Sequence, residues 1–130
     1  MKVCLVTGVT LEQGLGFAIA LRMYQREYAV YLGGRRGERA VELGLSIDKS
    51  GFWVKAHTLD ITDDTSVTQF LARVRGEQGK IDALINNAGA GFDAGVHPLD
   101  VNFADARQTF ETNLFGAWRM TRGSQIGPPI

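Results

Sequence analysis

The chain has 130 residues, a length that accommodates one compact domain. Its 14 basic and 14 acidic residues cancel, so it lacks the broad electrostatic field with which nucleic-acid-binding and membrane-surface proteins attract their partners. Hydrophobic residues make up 45% and charged residues 22%, and no apolar run approaches the roughly 20 residues that cross a bilayer, so the composition argues against disorder and against a membrane protein.

Short apolar segments alternate with segments of helical periodicity along the chain. Strands are predicted at residues 3–6, 29–32, 54–59 and 81–85. Helices are predicted from residue 14 onward, at residues 38–50, from residue 65 to about residue 79, and at residues 104–122. This alternation predicts a parallel sheet with helices on both faces. Residues 123–130 lack periodicity and are predicted to form an irregular tail after a domain of residues 1–122.

A glycine-rich loop connects the first predicted strand to the first predicted helix. It contains Gly8, Gly14 and Gly16, with Leu15 between the last two. Glycines let the backbone approach a pyrophosphate, and the free N–H groups and dipole at a helix start favour anions. These four residues are therefore predicted to bind the phosphates of a dinucleotide. The alternative is a tight strand-to-helix turn that binds no ligand.

Three further motifs follow the glycine loop in order. Asp60 and Ile61 come after the third strand, an Asn-Asn-Ala-Gly sequence at residues 86–89 follows the fourth, and Asn113 lies in the last helix. Together these features resemble the short-chain dehydrogenase/reductase family, most closely its carbonyl-reductase-like members, over residues 2–122. The resemblance implies a Rossmann-like α/β fold, a doubly wound parallel sheet in three layers, with about four strands in the order 3-2-1-4.

The resemblance also implies which residues contact the cofactor. The carboxylate of Asp60 would accept a hydrogen bond from the adenine amino group, and the backbone N–H of Ile61 would contact the adenine ring. The turn after the fourth strand would line the adenosine side of the cofactor through Asn87, Ala88 and Gly89.

Asn113 is the candidate catalytic residue. It matches the family's helix asparagine that holds a water in a proton relay. The last helix is expected to turn Phe110, Leu114, Ala117 and Thr121 toward one side, and the spacing from Phe110 and Ala117 places Asn113 on the sheet-facing side. The alternative is a buried asparagine whose side chain is satisfied by a backbone carbonyl.

The end of the second strand favours NADP(H) over NAD(H). NAD-binding proteins of this fold usually place an acid there for the ribose hydroxyls, whereas this chain has Gly34 followed by Arg35 and Arg36. An arginine can pair with the 2′-phosphate of NADP, and Arg35 is the predicted contact, with Arg36 as the lesser candidate. The alternative is a pair of solvated arginines at a helix start.

Two departures from the family pattern bear on function. Five residues separate Gly8 from Gly14 where the family usually has three, and one of them is Glu12, whose charge would repel a pyrophosphate. The family's catalytic serine and Tyr-x-x-x-Lys helix have no counterpart here, since the last tyrosine is Tyr31 and the last lysine is Lys80. We therefore expect a truncated oxidoreductase with little turnover alone. A longer form would reduce a small carbonyl substrate, and the alternative is a non-catalytic dinucleotide-binding or interaction module.

The remaining expectations concern partners and location. The open edge of the fourth strand and the last helix are predicted to mediate self-association. No nucleic-acid, membrane or metal partner is expected, because the basic residues are scattered and His57 and His97 lack acids or cysteines at ligand spacing. The single cysteine, Cys4, excludes an internal disulfide and fits the reducing cytoplasm.

Overall fold

The architecture was established from a computed structural model, which describes residues 1–126. Its strands are β1 (Val3–Thr7), β2 (Ala29–Gly34), β3 (Val54–Thr58) and β4 (Ala83–Ile85). Its α-helices are α1 (Leu15–Gln25), α2 (Gly37–Ile47), α3 (Asp64–Gln78), α4 (Phe103–Phe110) and α5 (Ala117–Ser124). The four strands are parallel and lie in the order β3-β2-β1-β4, which confirms the predicted sheet.

The sheet carries helices on both faces because the central strand β1 is buried throughout and apolar at residues 3–6. Its side chains alternate between the faces. Val3 and Leu5 pack with buried residues of α3 and α5, whereas Cys4 and Val6 pack with buried residues of α1 and α2. Two separate hydrophobic cores result, one on each face, and burial raises the pKa of the Cys4 thiol to about 11.

The boundaries of α2 and α3 follow from local side-chain bonds. Helix α2 ends at Ile47, three residues earlier than predicted, because the Asp48 carboxylate accepts hydrogen bonds from the Ser50 and Trp53 backbone N–H groups at 3.1 and 2.8 Å. Helix α3 is capped at its start by the Asp63 side chain, which accepts from the N–H of Thr65, and at its end by a left-handed Gly79.

The last predicted helix is continuous from Phe103 to Ser124, but the segment Glu111–Gly116 is π-helical. The predicted buried stripe is wrong, since Phe110 and Leu114 are 60% and 48% exposed. The buried positions, spaced four apart, are Thr112, Gly116, Met120 and Ser124. The helix approaches its neighbours through small residues: a Cβ at Gly116 would lie 2.7 Å from the side chain of Ile61.

The predicted start of an irregular tail at Gly123 is also wrong for its first two residues. Helix α5 includes Gly123 and Ser124 because Nη2 of Arg75 donates to both of their carbonyl oxygens, at 2.8 and 2.7 Å. These bonds satisfy carbonyl groups that a helix end otherwise leaves without partners. The rest of the predicted tail, residues 127–130, lies outside the described residues.

Strand β4 forms one edge of the sheet. It pairs only with β1 among the strands of residues 1–126, and its three residues are half-buried, whereas every residue of β1 and β2 is buried. The open edge that the sequence predicted is therefore present. None of the helices in this part of the chain combines the length and apolar character needed to cross a bilayer.

Candidate functional site

A groove opens at the carboxyl end of the sheet, where β1 lies between β2 and β4. Its cavity measures about 200 Å³. Six of the predicted cofactor-binding residues line it: Gly8, Arg35, Ile61, Asn87, Ala88 and Gly89. Five lining residues were not predicted: Thr10, Gly34, Leu59, Ala90 and Thr112. The groove thus joins the ends of all four strands to the last helix, and the carboxyl ends of strands are where ligands bind in open parallel sheets.

Gly8 lines this groove, and two structural features require a glycine at this position. Its φ of 70° lies in the left-handed region, which glycine adopts without strain. A Cβ at this position would overlap Cα of Ala88 and lie 2.8 Å from the Ala88 backbone nitrogen. The backbones of the glycine loop and of the turn after β4 can therefore meet only because residue 8 has no side chain.

The turn after β4 is fastened to the end of β1 by side-chain hydrogen bonds. Oγ1 of Thr7 accepts from the N–H groups of Asn87 and Ala88 at 3.1 and 3.0 Å. Nδ2 of Asn87 donates to the carbonyl oxygens of Thr7 and Gly8 at 3.0 and 3.2 Å. Sequence analysis missed Thr7 as a site residue. The available signal was a polar side chain at the last position of an otherwise apolar strand.

The other three predicted phosphate ligands, Gly14, Leu15 and Gly16, do not line this cavity. They lie at the start of α1, whose first N–H groups lack partners within the helix. Gly16 packs against the turn, because a Cβ there would lie 2.5 Å from Nδ2 of Asn87.

The lengthened part of the glycine loop folds into a turn of its own. The N–H of Gly14 donates to the carbonyl of Leu11 at 3.0 Å, with Glu12 and Gln13 between them. Glu12 is exposed and does not line the groove. The groove is therefore free of this carboxylate, although one backbone donor of the loop is used within the turn.

Arg35 lines the groove after β2 and meets Asp60, which follows β3 and is not among the residues that line the cavity. Nε of Arg35 lies 3.8 Å from the Asp60 carboxylate, and both side chains are substantially exposed. That carboxylate also accepts from the hydroxyl and backbone N–H of Thr62, at 2.6 and 3.0 Å. The Thr62 hydrogen bonds and the charge of Arg35 lower the pKa of Asp60, so its carboxylate is ionised at neutral pH. Arg36 is exposed and does not line the groove.

Asn113 lies in the π-helical segment and does not face the sheet as predicted. It is exposed, because the buried positions beside it are Thr112 and Gly116. Its Oδ1 accepts from the N–H of Ala90 and its Nδ2 donates to the carbonyl of Ala90, both at 2.7 Å. Asn113 therefore ties the last helix to the loop that continues from the groove. π-Helical turns within α-helices are frequently found at functional sites.

A parallel sheet in this order, with a glycine-lined groove at its carboxyl end, defines a Rossmann-like dinucleotide-binding fold. A family model described as "short chain dehydrogenase" matches residues 2–124, and the chain belongs to this family. This confirms the resemblance inferred from the sequence motifs.

Individual relatives agree with this assignment. A fatty acyl-CoA reductase from Acinetobacter baylyi is 32% identical over 119 residues, which cover 92% of this chain and 40% of the relative. An alcohol dehydrogenase from the archaeon Thermococcus sibiricus, complexed with 5-hydroxy-NADP, superposes with a TM-score of 0.85 at 30% identity, over 95% of this chain and 52% of the other. An NAD+-bound xylitol dehydrogenase gives a TM-score of 0.85 at 29% identity, over 95% and 46%. The chain therefore spans about half the length of the proteins it matches or less.

A second cavity, of about 370 Å³, lies beside β3 and is lined in part by His57 and Arg73. Nη1 of Arg73 lies 3.2 Å from Nδ1 of His57. Since a guanidinium only donates, Nδ1 accepts and the ring hydrogen lies on Nε2, which is buried without a partner among residues 1–126. Burial first, and then the charge of Arg73, lower the pKa of His57. Across the same residues, no three His, Cys, Asp or Glu side chains come together as a metal site.

His57 should make stability depend on pH near neutrality. Because its pKa is lowered on folding, the unfolded chain binds the proton more readily, so the free energy of unfolding should fall as pH drops below about 6.5. His57→Gln should flatten this decline between about pH 7 and pH 5, a range above the titration of the carboxylates. Urea denaturation at several pH values measures it. His97→Gln is the matched control and should keep the decline, and an equal flattening in both variants would contradict the assignment to His57.

Proposed function

We propose that the chain binds NADP(H) in the groove at the carboxyl end of the sheet and forms the cofactor-binding part of a carbonyl-reducing oxidoreductase. The observation that carries the proposal is the position of Arg35 beside a groove floored by Gly8, where only a residue without a Cβ fits. A close backbone approach beside a cationic side chain suits a phosphorylated dinucleotide. The single free thiol, Cys4, supports a cytoplasmic location.

Different residues of the site suit different parts of the cofactor. Arg35 would pair with the 2′-phosphate, while Asp60 and the N–H of Ile61 would contact the adenine. The first N–H groups of α1, at Leu15 and Gly16, would face the pyrophosphate. The preference for NADP(H) is supported by the charge of Arg35 and by the NADP derivative bound to the Thermococcus sibiricus relative, but the xylitol dehydrogenase binds NAD+.

NADPH, when bound, supplies the hydride that a carbonyl carbon accepts. The 130 residues contain no Tyr-x-x-x-Lys sequence, so the proton that the carbonyl oxygen needs has no assigned donor among them. Asn113, both of whose side-chain polar groups are bonded to Ala90, contributes in this proposal by positioning the loop beside the groove. We therefore propose that these residues bind the cofactor without completing the reaction.

A second candidate function is a non-catalytic interaction module. The observation in its favour is the exposed apolar surface of the last helix. Three large side chains of the last helix, Phe110, Leu114 and Trp118, are 60%, 48% and 62% exposed. Self-association through this helix or through β4 is part of the proposal, because open strand edges and apolar patches favour pairing with another chain. Light scattering over a concentration series tests it, and a monomer at all concentrations would contradict it.

Calorimetric titration of the folded chain with NADPH, NADP+ and NAD+ tests the main proposal. We expect saturable binding that is about tenfold tighter for NADP+ than for NAD+. A charge-assisted hydrogen bond at an exposed arginine contributes a binding free energy at the low end of the usual range for such bonds. With aldehydes or ketones we expect no steady NADPH oxidation, since a positioned acid–base group contributes about 10²–10⁴-fold. Absence of dinucleotide binding would refute the cofactor site, and steady turnover would refute the incomplete-site part alone.

A further inference from the structure

A cavity of about 520 Å³ lies at the end of the sheet opposite to the cofactor groove. Its lining residues are Met1, Tyr24, Glu27, Tyr28 and Trp53. They come from the segment before β1, the end of α1, the turn before β2 and the residue before β3. Strands of five residues span about 16 Å, so this cavity is separated from the groove by the length of the sheet. Neither the family assignment nor the proposed cofactor site uses it.

Three of its lining side chains are aromatic. Tyr24 and Tyr28 are half-buried and Trp53 is 40% exposed, so their rings are available at the cavity. Phe52 packs edge-on against Trp53, with ring centroids 4.6 Å apart and an interplanar angle of 86°, and restricts the orientation of the indole. Aromatic rings carry negative potential on their faces and attract cations that come to lie over them.

Glu27 adds a full negative charge to the cavity. Its φ of 65° is a left-handed conformation, which glycine adopts with less strain than glutamate, and its N–H donates to the carbonyl of Tyr24 at 2.9 Å. The Glu27 carboxylate forms no ion pair within residues 1–126, although the α-amino group of Met1 belongs to a lining residue. The carboxylate is therefore available to a ligand.

We propose that this cavity binds a small organic cation, with a quaternary ammonium head group as the best fit. Such a head group presents a diffuse positive charge on an apolar surface. The aromatic rings of Tyr24, Tyr28 and Trp53 match the apolar surface and the charge, and Glu27 supplies the counter-charge. A compact, strongly hydrated cation would gain less, because the cavity offers it a single carboxylate in exchange for its hydration shell.

Titration of the 130-residue chain with choline, followed by amide and indole NMR shifts, tests the site. We expect saturable shifts at Glu27, Tyr28 and the Trp53 indole, with a dissociation constant on the order of millimolar. The neutral isostere 3,3-dimethyl-1-butanol should bind more weakly. Saturating NADP+ should leave choline binding unchanged, so failure of the cofactor proposal and failure of this one are distinguishable.

Two variants and one control complete the test. Glu27→Gln and Trp53→Leu should each weaken choline binding about two- to fivefold, whereas Trp118→Phe, on the last helix, should leave it unchanged. Glu27 is exposed, so its variant is expected to fold. Equal binding of choline and its neutral isostere, no shifts in the unsubstituted chain, or shifts that depend on protein concentration without ligand would each overturn the proposal. The last outcome would indicate a second copy on this surface.

Discussion

Gly8→Ala should lower the free energy of unfolding by about 2–4 kcal/mol. A left-handed backbone costs a residue with a Cβ about 1 kcal/mol or more, and a side chain forced into a packed contact costs about 1–3 kcal/mol. Both costs apply at Gly8, because its φ is 70° and its Cβ would overlap Ala88. Urea denaturation measures the change. Dinucleotide binding should weaken in the same variant, since the turn after β4 would have to move.

Substitutions at two other glycines distinguish the cost of the left-handed backbone from the cost of the close contact. Gly79 has a φ of 76° but nothing within 4 Å of an added Cβ, so Gly79→Ala should cost only about 1 kcal/mol. Gly76 lies inside α3 with open space around it, and Gly76→Ala should stabilise the chain by about 0.5–1 kcal/mol. If Gly8→Ala costs no more than Gly79→Ala, the close contact with Ala88 does not constrain the fold.

Arg35→Gln should weaken NADP+ binding about tenfold and change NAD+ binding less than about twofold. A charge-assisted hydrogen bond to phosphate contributes about 1.5–3 kcal/mol, and the lower value applies because the Arg35 side chain is 56% exposed. Titration of both cofactors into the variant measures the two affinities. The ratio of NADP+ to NAD+ affinity, rather than either value alone, reports the contact with the 2′-phosphate.

Arg36→Gln is the matched control for this experiment. Arg36 carries the same charge one residue further on, but it does not line the groove. Its replacement should leave the affinity ratio nearly unchanged and should alter only the weak, salt-dependent attraction of the surface for anions. An equal loss in both variants would mean that NADP+ responds to general positive charge and not to a pairing at Arg35.

The sheet was predictable because its determinants are local. The apolar runs of β1 and β2 are buried on both faces, and such runs leave few alternatives in a chain where strands and helices alternate. The two capping residues of α3, Asp63 and Gly79, could be predicted from the sequence for the same reason. The end of α2 was missed because it depends on a single side chain, Asp48, that accepts hydrogen bonds from several groups beyond the helix.

The last helix was mispredicted because its orientation is set by distant contacts. Periodicity favoured Phe110 and Leu114 as buried residues, yet the close approach at Gly116 requires a different face to point inward. A π-helical segment shifts the angular positions of the residues that follow it, and a pattern of 3.6 residues per turn does not anticipate it. Asn113 was singled out as a polar residue on the sheet-facing side, but it is exposed, and its partner, Ala90, could not be inferred from spacing alone.

The sequence indicated candidate ligand contacts in the site, but not the side chain that holds the turn after β4 in place. The motifs pointed to Gly8 and Asn87, and the arginines after the second strand pointed to Arg35; the fold brings these three residues to one groove. The role of Thr7 depends on a hydroxyl that bonds a turn 80 residues later in the chain, and no local pattern specifies that pairing. The lengthened loop was recognised, but its internal turn was not.

The ion pair at the groove edge bears on how one cofactor could be distinguished from another. In the free chain Asp60 already provides Arg35 with a partial counter-charge. Binding of a ligand without a 2′-phosphate therefore does not leave Arg35 as a cation without a partner. The preference for NADP+ would then come from attraction between Arg35 and the 2′-phosphate, and not from rejection of NAD+. NAD+ would remain a weaker competitor, and the tolerance of Arg35→Gln for NAD+ in the titrations above tests this.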